Sequence, residues 1–291
     1  MFIDIHVHVC RVPVAPRRGK PWLNTPEQLL AIYDRLEIER GVLLPLVSAE
    51  CYEPQANTDF LEICRDHPGR FVPFCNVDPR MLYNSPDSDL SEILNHYRCL
   101  GCKGVGEVTA NLRFDDPLVQ NLLRHLEAAG MPFIFHVAPC IGGTYGLVDE
   151  PGMPLLEQSL KRFAKLAFIG HSQPFWAEIS RLETPADRCG GYPDYPVREE
   201  GVLAKLFRRY PNLYGDLSAR SGYNALARDR EHAVRFLNEF QDRLLFGTDI
   251  TAPDTPVPLP GFLRDLRQSG QISETVFQKV ARENTIRLLG L

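Results

Sequence analysis

The chain opens on an alternation. Ile3, Ile5, Val7 and Val9 fall on one side of an extended segment, and Asp4, His6 and His8 fall on the other. Side chains two apart share a face of a strand, so Phe2 to Val9 predicts a strand that presents two imidazoles together. A proline- and arginine-rich stretch from Arg11 to Pro21 follows. Thr25-Pro26-Glu27 then supplies a cap, a first-turn proline and a first-turn acid, and Leu29, Leu30, Ile32, Tyr33 and Leu36 recur at helical spacing up to Gly41, the expected stop. Val42 to Val47 is a short apolar run that predicts a second strand.

This strand-then-helix unit recurs to the end of the chain. Strands are expected at 71–77, 102–108, 131–137, 165–170, 212–218 and 243–247. Helices are expected at 57–66, 89–100, 117–129, 155–164, 201–209, 230–240, 259–268 and 273–289. Several of the strands are nearly continuous apolar runs, as expected for strands covered on both faces. Strict alternation implies parallel pairing with right-handed crossovers, and eight units close into a (β/α)8 TIM barrel. The competing open doubly wound sheet would place a glycine-rich turn after the first strand, where this chain has Val9-Cys-Arg-Val-Pro13. A single domain over residues 1–291 is therefore expected. The 172–200 connection is longer than the architecture requires and is a candidate lid.

In such a barrel the C-terminal strand ends converge on one mouth, where catalytic groups collect. The polar ends here are His6 and His8, Glu50, Asp78, Glu107, His136, His171, Asp216 and Asp249. His67, His96, His125 and His232 fall in helices or their exits and are expected to be solvated. His6, His8 and His136 offer nitrogens and Asp249 a carboxylate, a donor set that suits zinc, with manganese as the second candidate. An ion held this way activates a water, with His171 and Asp249 moving protons. One ion is favoured. Two remain open because Glu107 could bridge to a second, with His171 then as a ligand. Glu50 and Asp78 fit loop or cap roles better than catalytic ones, and Asp216 fits a loop role equally well. Arg11, Arg113 and Arg220 lie just beyond strand ends and are candidate holders of a substrate carboxylate.

Composition narrows the class without adding chemistry. A net charge of −5 gives no basic footprint for nucleic acid. No apolar run approaches the roughly 18 residues of a membrane helix, and no basic-then-apolar leader precedes the first strand, so a cytoplasmic location is expected. The cysteines at 10, 51, 64, 75, 99, 102, 140 and 189 are dispersed, which predicts reduced thiols. Cys99 and Cys102 have CxxC spacing but lack the second pair a zinc site would need.

These motifs resemble the amidohydrolase superfamily in its amidohydrolase-2 branch, which includes aminocarboxymuconate-semialdehyde decarboxylase and resorcylate-type decarboxylases. The matching pieces are Asp4-Ile-His-Val-His8, Gly101-Cys-Lys-Gly104, Phe133-Ile-Phe-His136, Ile169-Gly-His171, Leu245-Phe-Gly-Thr-Asp249 and Glu283-Asn-Thr-Ile-Arg-Leu-Leu-Gly290. The resemblance implies a barrel with metal on His6, His8, His136 and Asp249, His171 as acid-base residue or second-metal ligand, and assembly as a homo-oligomer. Many superfamily members bridge two metals with a carboxylated lysine. Lys103 lies too early in its strand for that and is expected inside the barrel beside a carboxylate, with Glu107 in the bridging place. The function expected first is a metal-dependent hydrolase of a small, carboxylate-bearing amide, lactone or ester. The alternatives are a metal-dependent non-oxidative decarboxylase and a binding barrel without activity.

Overall fold

Eight parallel strands close on themselves. In the computed structural model, which describes residues 1–291, they are β1 (Phe2–Val7), β2 (Ile38–Leu43), β3 (Phe71–Pro73), β4 (Val105–Val108), β5 (Phe133–Ala138), β7 (Phe168–His171), β8 (Leu213–Asp216) and β9 (Leu244–Leu245). A two-residue strand, β6 (Leu147–Val148), lies outside the ring against β5. Two continuous sheets, β1-β2-β3 and β4-β5-β7-β8-β9, are joined by single bridges at Cys75–Val105 and Val7–Ile250. With both seams closed, no sheet edge is left open, and the result is a (β/α)8 barrel.

The barrel interior is filled by Ile5, Val42, Leu44, Val72, Phe74, Ile134, Ile169 and Leu245, joined by Leu289 of the last helix. A larger apolar layer of 62 residues packs the strands against the surrounding helices. Helix α1 (Pro26–Leu36) starts as its sequence predicts: Thr25 and Gln28 form a reciprocal capping box. It ends earlier than expected, at Glu37, which takes the left-handed conformation (φ 60°). Gly41 instead lies inside β2, where a Cβ would collide with the Tyr33 ring. The expected helix at 273–289 is divided into Glu274–Gln278 and Asn284–Leu289 by a π-turn at Lys279–Glu283. That turn leaves the Val280 carbonyl free to accept Phe246 N–H at 3.0 Å, docking the last helix on the strand that precedes Asp249. No helix is long and apolar enough to cross a membrane.

The opening strand departs from simple alternation. Asp4 pairs with Gly41 and Val7 with Leu43, so three steps along β1 match two along β2. This extra residue is a bulge, and it inverts the face of everything before it. Ile5 accordingly packs in the barrel interior while Val7 and Val9 pack in the outer layer. Asp4 does not share the histidine face, contrary to the alternation. It turns outward and accepts Tyr33 OH of α1 at 2.7 Å.

Candidate metal centre and substrate cavity

Three of the polar strand ends meet by way of backbone that the bulge has redirected. Asp4 accepts the His6 N–H at 3.0 Å and the Thr248 N–H at 2.9 Å, and its other oxygen accepts the Thr248 hydroxyl at 2.5 Å. The Asp249 N–H donates to the His6 carbonyl at 2.8 Å. One buried carboxylate thus ties the strand carrying His6 and His8 to the turn carrying Asp249, which is itself left-handed (φ 53°). Burial pushes the Asp4 carboxyl up to about 6 against four hydrogen bonds that favour its charge.

The two imidazoles of β1 are aimed through their Nδ1 atoms. His6 Nδ1 lies 2.6 Å from Asp216 Oδ2, and His8 Nδ1 lies 2.9 Å from the Leu44 carbonyl. Their Nε2 atoms face each other at 3.0 Å. Glu107 Oε2 lies 3.7 and 3.6 Å from them, and Asp249 Oδ1 lies 3.5 and 3.4 Å away. Donors bonded at about 2.1 Å to one tetrahedral ion sit about 3.4 Å apart, so this spacing fits a single zinc-sized cation. The Nδ1 partners are the orienting contacts such a site requires. His6, His8 and Asp249 form one candidate group, and His6, Glu107 and His171 a second.

His136 is not in either group. Its Nδ1 turns to Glu107 Oε1 at 2.8 Å, on the side of that carboxylate away from His6 and His8. His171 Nε2 lies 4.0 Å from the same oxygen and 3.8 Å from Asp249 Oδ2. Both carboxylates therefore present one oxygen to the His6/His8 pair and the other toward His171. Glu107, expected as a bridge to a second ion, lies against the His6 and His8 Nε2 atoms, and His136, expected as a ligand, contacts the other Glu107 oxygen.

Asp216 is the residue the sequence reading undervalued. It is fully buried, and Oδ2 contacts His6 Nδ1, His171 Nδ1 (3.1 Å) and the Ser218 hydroxyl (2.9 Å) together. Its signal was present: an acid at a strand end beside a short hydroxyl residue. Trp176 Nε1 donates to the Asp216 carbonyl at 2.7 Å and fixes its backbone.

Electrostatically the cluster sets buried carboxylates against imidazoles, and each carboxylate is held charged against its burial. Burial opposes ionisation of Asp216, but the His6 and His171 rings hold it well below the usual carboxylate range. Burial likewise opposes charge on Glu107, yet His136 and His8 hold it well below normal. Asp249 is lowered against its burial by His6 and His8. Burial disfavours a charged His8, but Asp249 and Glu107 outweigh it and push it up to about 10. His171 is pushed up to about 9, against burial, by Asp216 and Glu107. His136 is lowered, because burial exceeds the pull of Glu107.

Above this cluster opens a cavity of about 850 Å³. His8, Glu107, His136 and Asp249 form its floor; Trp22, Tyr52, Tyr145, Tyr223, Arg17 and Arg220 stand in its walls. The candidate carboxylate holders divide. Arg220 lines the cavity; Arg11 pairs with Glu62, and Arg113 with Asp115 at 2.9 Å and Glu150 at 3.5 Å, both outside it. Arg17, not singled out from sequence, is a second cationic wall residue with no acidic partner. Glu50 also reaches the wall, but Arg80 neutralises it at 2.9 and 2.8 Å while also holding Asp78.

Other expectations are corrected. Lys103 is exposed, not inside the barrel. His232 is buried against Phe236, not solvated, and burial lowers its pKa. The 172–200 segment contributes none of the cavity-lining residues. It folds into a short helix (Gln173–Ala177) and a 3-10 turn (Pro185–Arg188), pinned by the buried Arg188–Glu178 pair at 2.8 Å. The cysteines are all unpaired, and the CxxC pair divides into an exposed Cys99 and a buried Cys102.

The amidohydrolase family model matches residues 3–291. Solved structures share the fold over the full length at low identity. The 5-carboxyvanillate decarboxylase of Sphingomonas paucimobilis is 19% identical with a TM-score of 0.63, covering 100% of this chain and 99% of that one. An amidohydrolase of Burkholderia multivorans with bound zinc is 17% identical with a TM-score of 0.65, at the same coverage of 100% and 99%. A probable 2-pyrone-4,6-dicarboxylic acid hydrolase of Acinetobacter baumannii with citric acid bound is 15% identical with a TM-score of 0.57, again over 100% and 99%. The sequence matches no curated protein.

Proposed function

From the premise that this chain belongs to the amidohydrolase family, we propose that it is a metal-dependent hydrolase of a small, carboxylate-bearing ester, lactone or amide, with residues 1–291 as one catalytic domain. The observation that carries this reading is the meeting of His6 Nε2, His8 Nε2, Glu107 Oε2 and Asp249 Oδ1 at 3.0 to 3.7 Å beneath an open cavity. In this reading those four groups hold one divalent transition ion, with zinc the first candidate and manganese the second. When bound, the ion supplies Lewis acidity for polarising a carbonyl and acidifying water. His136 and His171, facing the second oxygens of the two carboxylates, are the groups a second ion would use.

The chain's own groups divide the remaining work. In this reading Asp249 Oδ2, the oxygen turned from His6 and His8, accepts a proton from the attacking water. His171 Nε2, 3.8 Å from that oxygen, holds a proton for the leaving group, and Asp216 and Ser218 on Nδ1 keep the ring from turning. Arg17 and Arg220 bind a substrate carboxylate at the wall, where no protein acid competes. Trp22, Tyr52, Tyr145 and Tyr223 give the cavity flat apolar surfaces that displace water around a planar substrate.

The test is product analysis. Zinc-loaded protein is offered a panel of carboxylate-bearing lactones, esters, amides and aromatic acids, followed by proton release and by carbon dioxide capture. A ring-opened or cleaved acid supports hydrolysis, accompanied by proton release for the esters and lactones and by a free amine for the amides. Carbon dioxide release without cleavage establishes the alternative, non-oxidative decarboxylation on the same groups.

A further inference from the structure

Arg220 does not stand alone in the cavity wall. It opens the helix Ala219–Ala227 that follows β8 and forms no ion pair; its guanidinium lies over the ring of Tyr192, 4.4 Å from the centroid. Tyr192 is half-buried and belongs to the 172–200 segment, which supplies no cavity-lining residue, so it reaches the site only through Arg220. The surrounding turn is fastened to the same helix and to the start of the next. Asn224, itself in the cavity wall, donates from Nδ2 to the Pro193 carbonyl at 2.8 Å. Arg228 lies over the Tyr195 ring at 5.3 Å, and the Val197 N–H donates to Asp229 at 3.0 Å. At its base the segment is held by the buried Arg188–Glu178 pair. The turn carrying Tyr192 is thus tied down at several points, and the side chain resting on it is a long cation with many rotamers.

We propose that Tyr192 is a positioning residue for substrate recognition: its ring holds the Arg220 guanidinium over the cavity, so the 172–200 segment sets specificity through Arg220 instead of closing as a lid. An arginine free in solvent must give up rotamer entropy when it grips an anion, and a cation on an aromatic face has given up part of it beforehand. Stacking leaves the planar edge of the guanidinium open for a bidentate carboxylate. The inference rests on reading the cavity as the site of a carboxylate-bearing substrate.

The experiment is a double-mutant cycle read by calorimetric titration of isophthalate, a planar dicarboxylate, into zinc-loaded protein. Zinc content and thermal midpoint are measured on every variant. Arg220→Ala is expected to weaken binding roughly 10- to 100-fold, the loss of a charge-assisted contact. Tyr192→Leu keeps apolar bulk but removes the ring face, and is expected to weaken binding about 3- to 5-fold. Tyr192→Phe keeps the face and stays within about twofold of the native protein. In the Arg220→Ala background Leu and Phe at 192 bind equally, because the ring acts only through the arginine. Native-like binding by Tyr192→Leu, a Leu deficit that persists without Arg220, or loss of zinc from the Leu variant overturns the proposal. Undiminished binding by Arg220→Ala, or no binding by the native protein, overturns the carboxylate subsite beneath it. Whether the substrate is hydrolysed or decarboxylated is read separately and does not enter the cycle.

Discussion

Gly247→Ala is the sharpest steric probe of the account. A Cβ at this position would lie 2.5 Å from Asp216 Oδ1, 2.7 Å from Ser218 Cβ and 3.2 Å from Ile5 Cγ2. Relief of the first contact requires the Asp216 carboxylate to move, and that carboxylate is the common partner of His6 and His171. Overpacking a filled interior costs about 1–3 kcal/mol, and weakening a hydrogen bond to a buried charge adds about as much again. A total near 3 kcal/mol in a chain of this size lowers the thermal midpoint by several degrees, roughly 5–10 °C. Misorienting His6 is expected to weaken zinc binding roughly 10- to 100-fold, the usual consequence of disturbing a group behind a metal ligand. The assays are calorimetric unfolding of the metal-free protein and zinc competition against a chromophoric chelator. Gly261→Ala serves as control, since that Cβ meets nothing within 4 Å and the residue lies in the helix Leu259–Gln268; it is expected to be neutral or to stabilise by up to about 1 kcal/mol. A Gly247→Ala protein with native melting and native zinc affinity would refute the claim that Asp216 is packed into its position and governs the site from there.

Three further outcomes follow from the same geometry. His171→Asn should leave zinc stoichiometry intact and lower turnover by roughly 10²- to 10⁴-fold, measured as turnover and metal content on one sample; loss of the ion instead would make His171 a ligand and not a proton carrier. In the metal-free protein His8 and His171 are raised from 6.5 to about 10 and about 9, so their stabilisation is complete below pH 6.5 and is lost as pH rises through 9 to 10. His171 alone contributes on the order of 3 kcal/mol. Glu107, Asp249 and Asp216 are lowered, so theirs is complete above their ordinary values near 4 and is lost on acidification. Because Asp4 is raised to about 6, its own contribution falls between about pH 4 and 6, and unfolding titrations should show a further loss of stability from pH 6.5 to 10 that zinc removes; an alkaline limb of equal size with zinc present contradicts this. Tyr33→Phe, which removes one donor from Asp4 Oδ2, should destabilise by about 1–2 kcal/mol in denaturant unfolding, and no change would show that Asp4 is satisfied without it.

The strand–helix rhythm was legible because buried parallel strands and capped helices leave local signatures, as at Thr25-Pro26-Glu27. The bulge in β1 was not, because it is set by partners far away in sequence: Gly41, Tyr33 and Thr248 around Asp4. Gly41 was misplaced for the same reason. A glycine after an apolar helix resembles a stop, and only the Tyr33 ring shows that it is a clearance in a strand. The polar strand ends named the groups that meet at the mouth, since barrel topology brings them together whatever their spacing. Their ranking depends on which imidazole nitrogen faces which oxygen, and rotamers are not written in composition; hence Glu107 was placed behind His136 and Asp216 was left undecided. The cavity arginines show the same limit, since Arg11, Arg113 and Arg220 all follow strand ends and only acidic neighbours from other loops separate them.

The central claim is that Glu107 belongs with His6, His8 and Asp249 around one ion. Zinc affinity and stoichiometry of metal-stripped native protein, Glu107→Gln and His136→Ala, each measured by chelator competition, test it most directly. The account predicts one tightly held zinc in the native protein, weakened at least about 100-fold by Glu107→Gln and far less by His136→Ala. Full zinc retention by Glu107→Gln together with its loss from His136→Ala would contradict it.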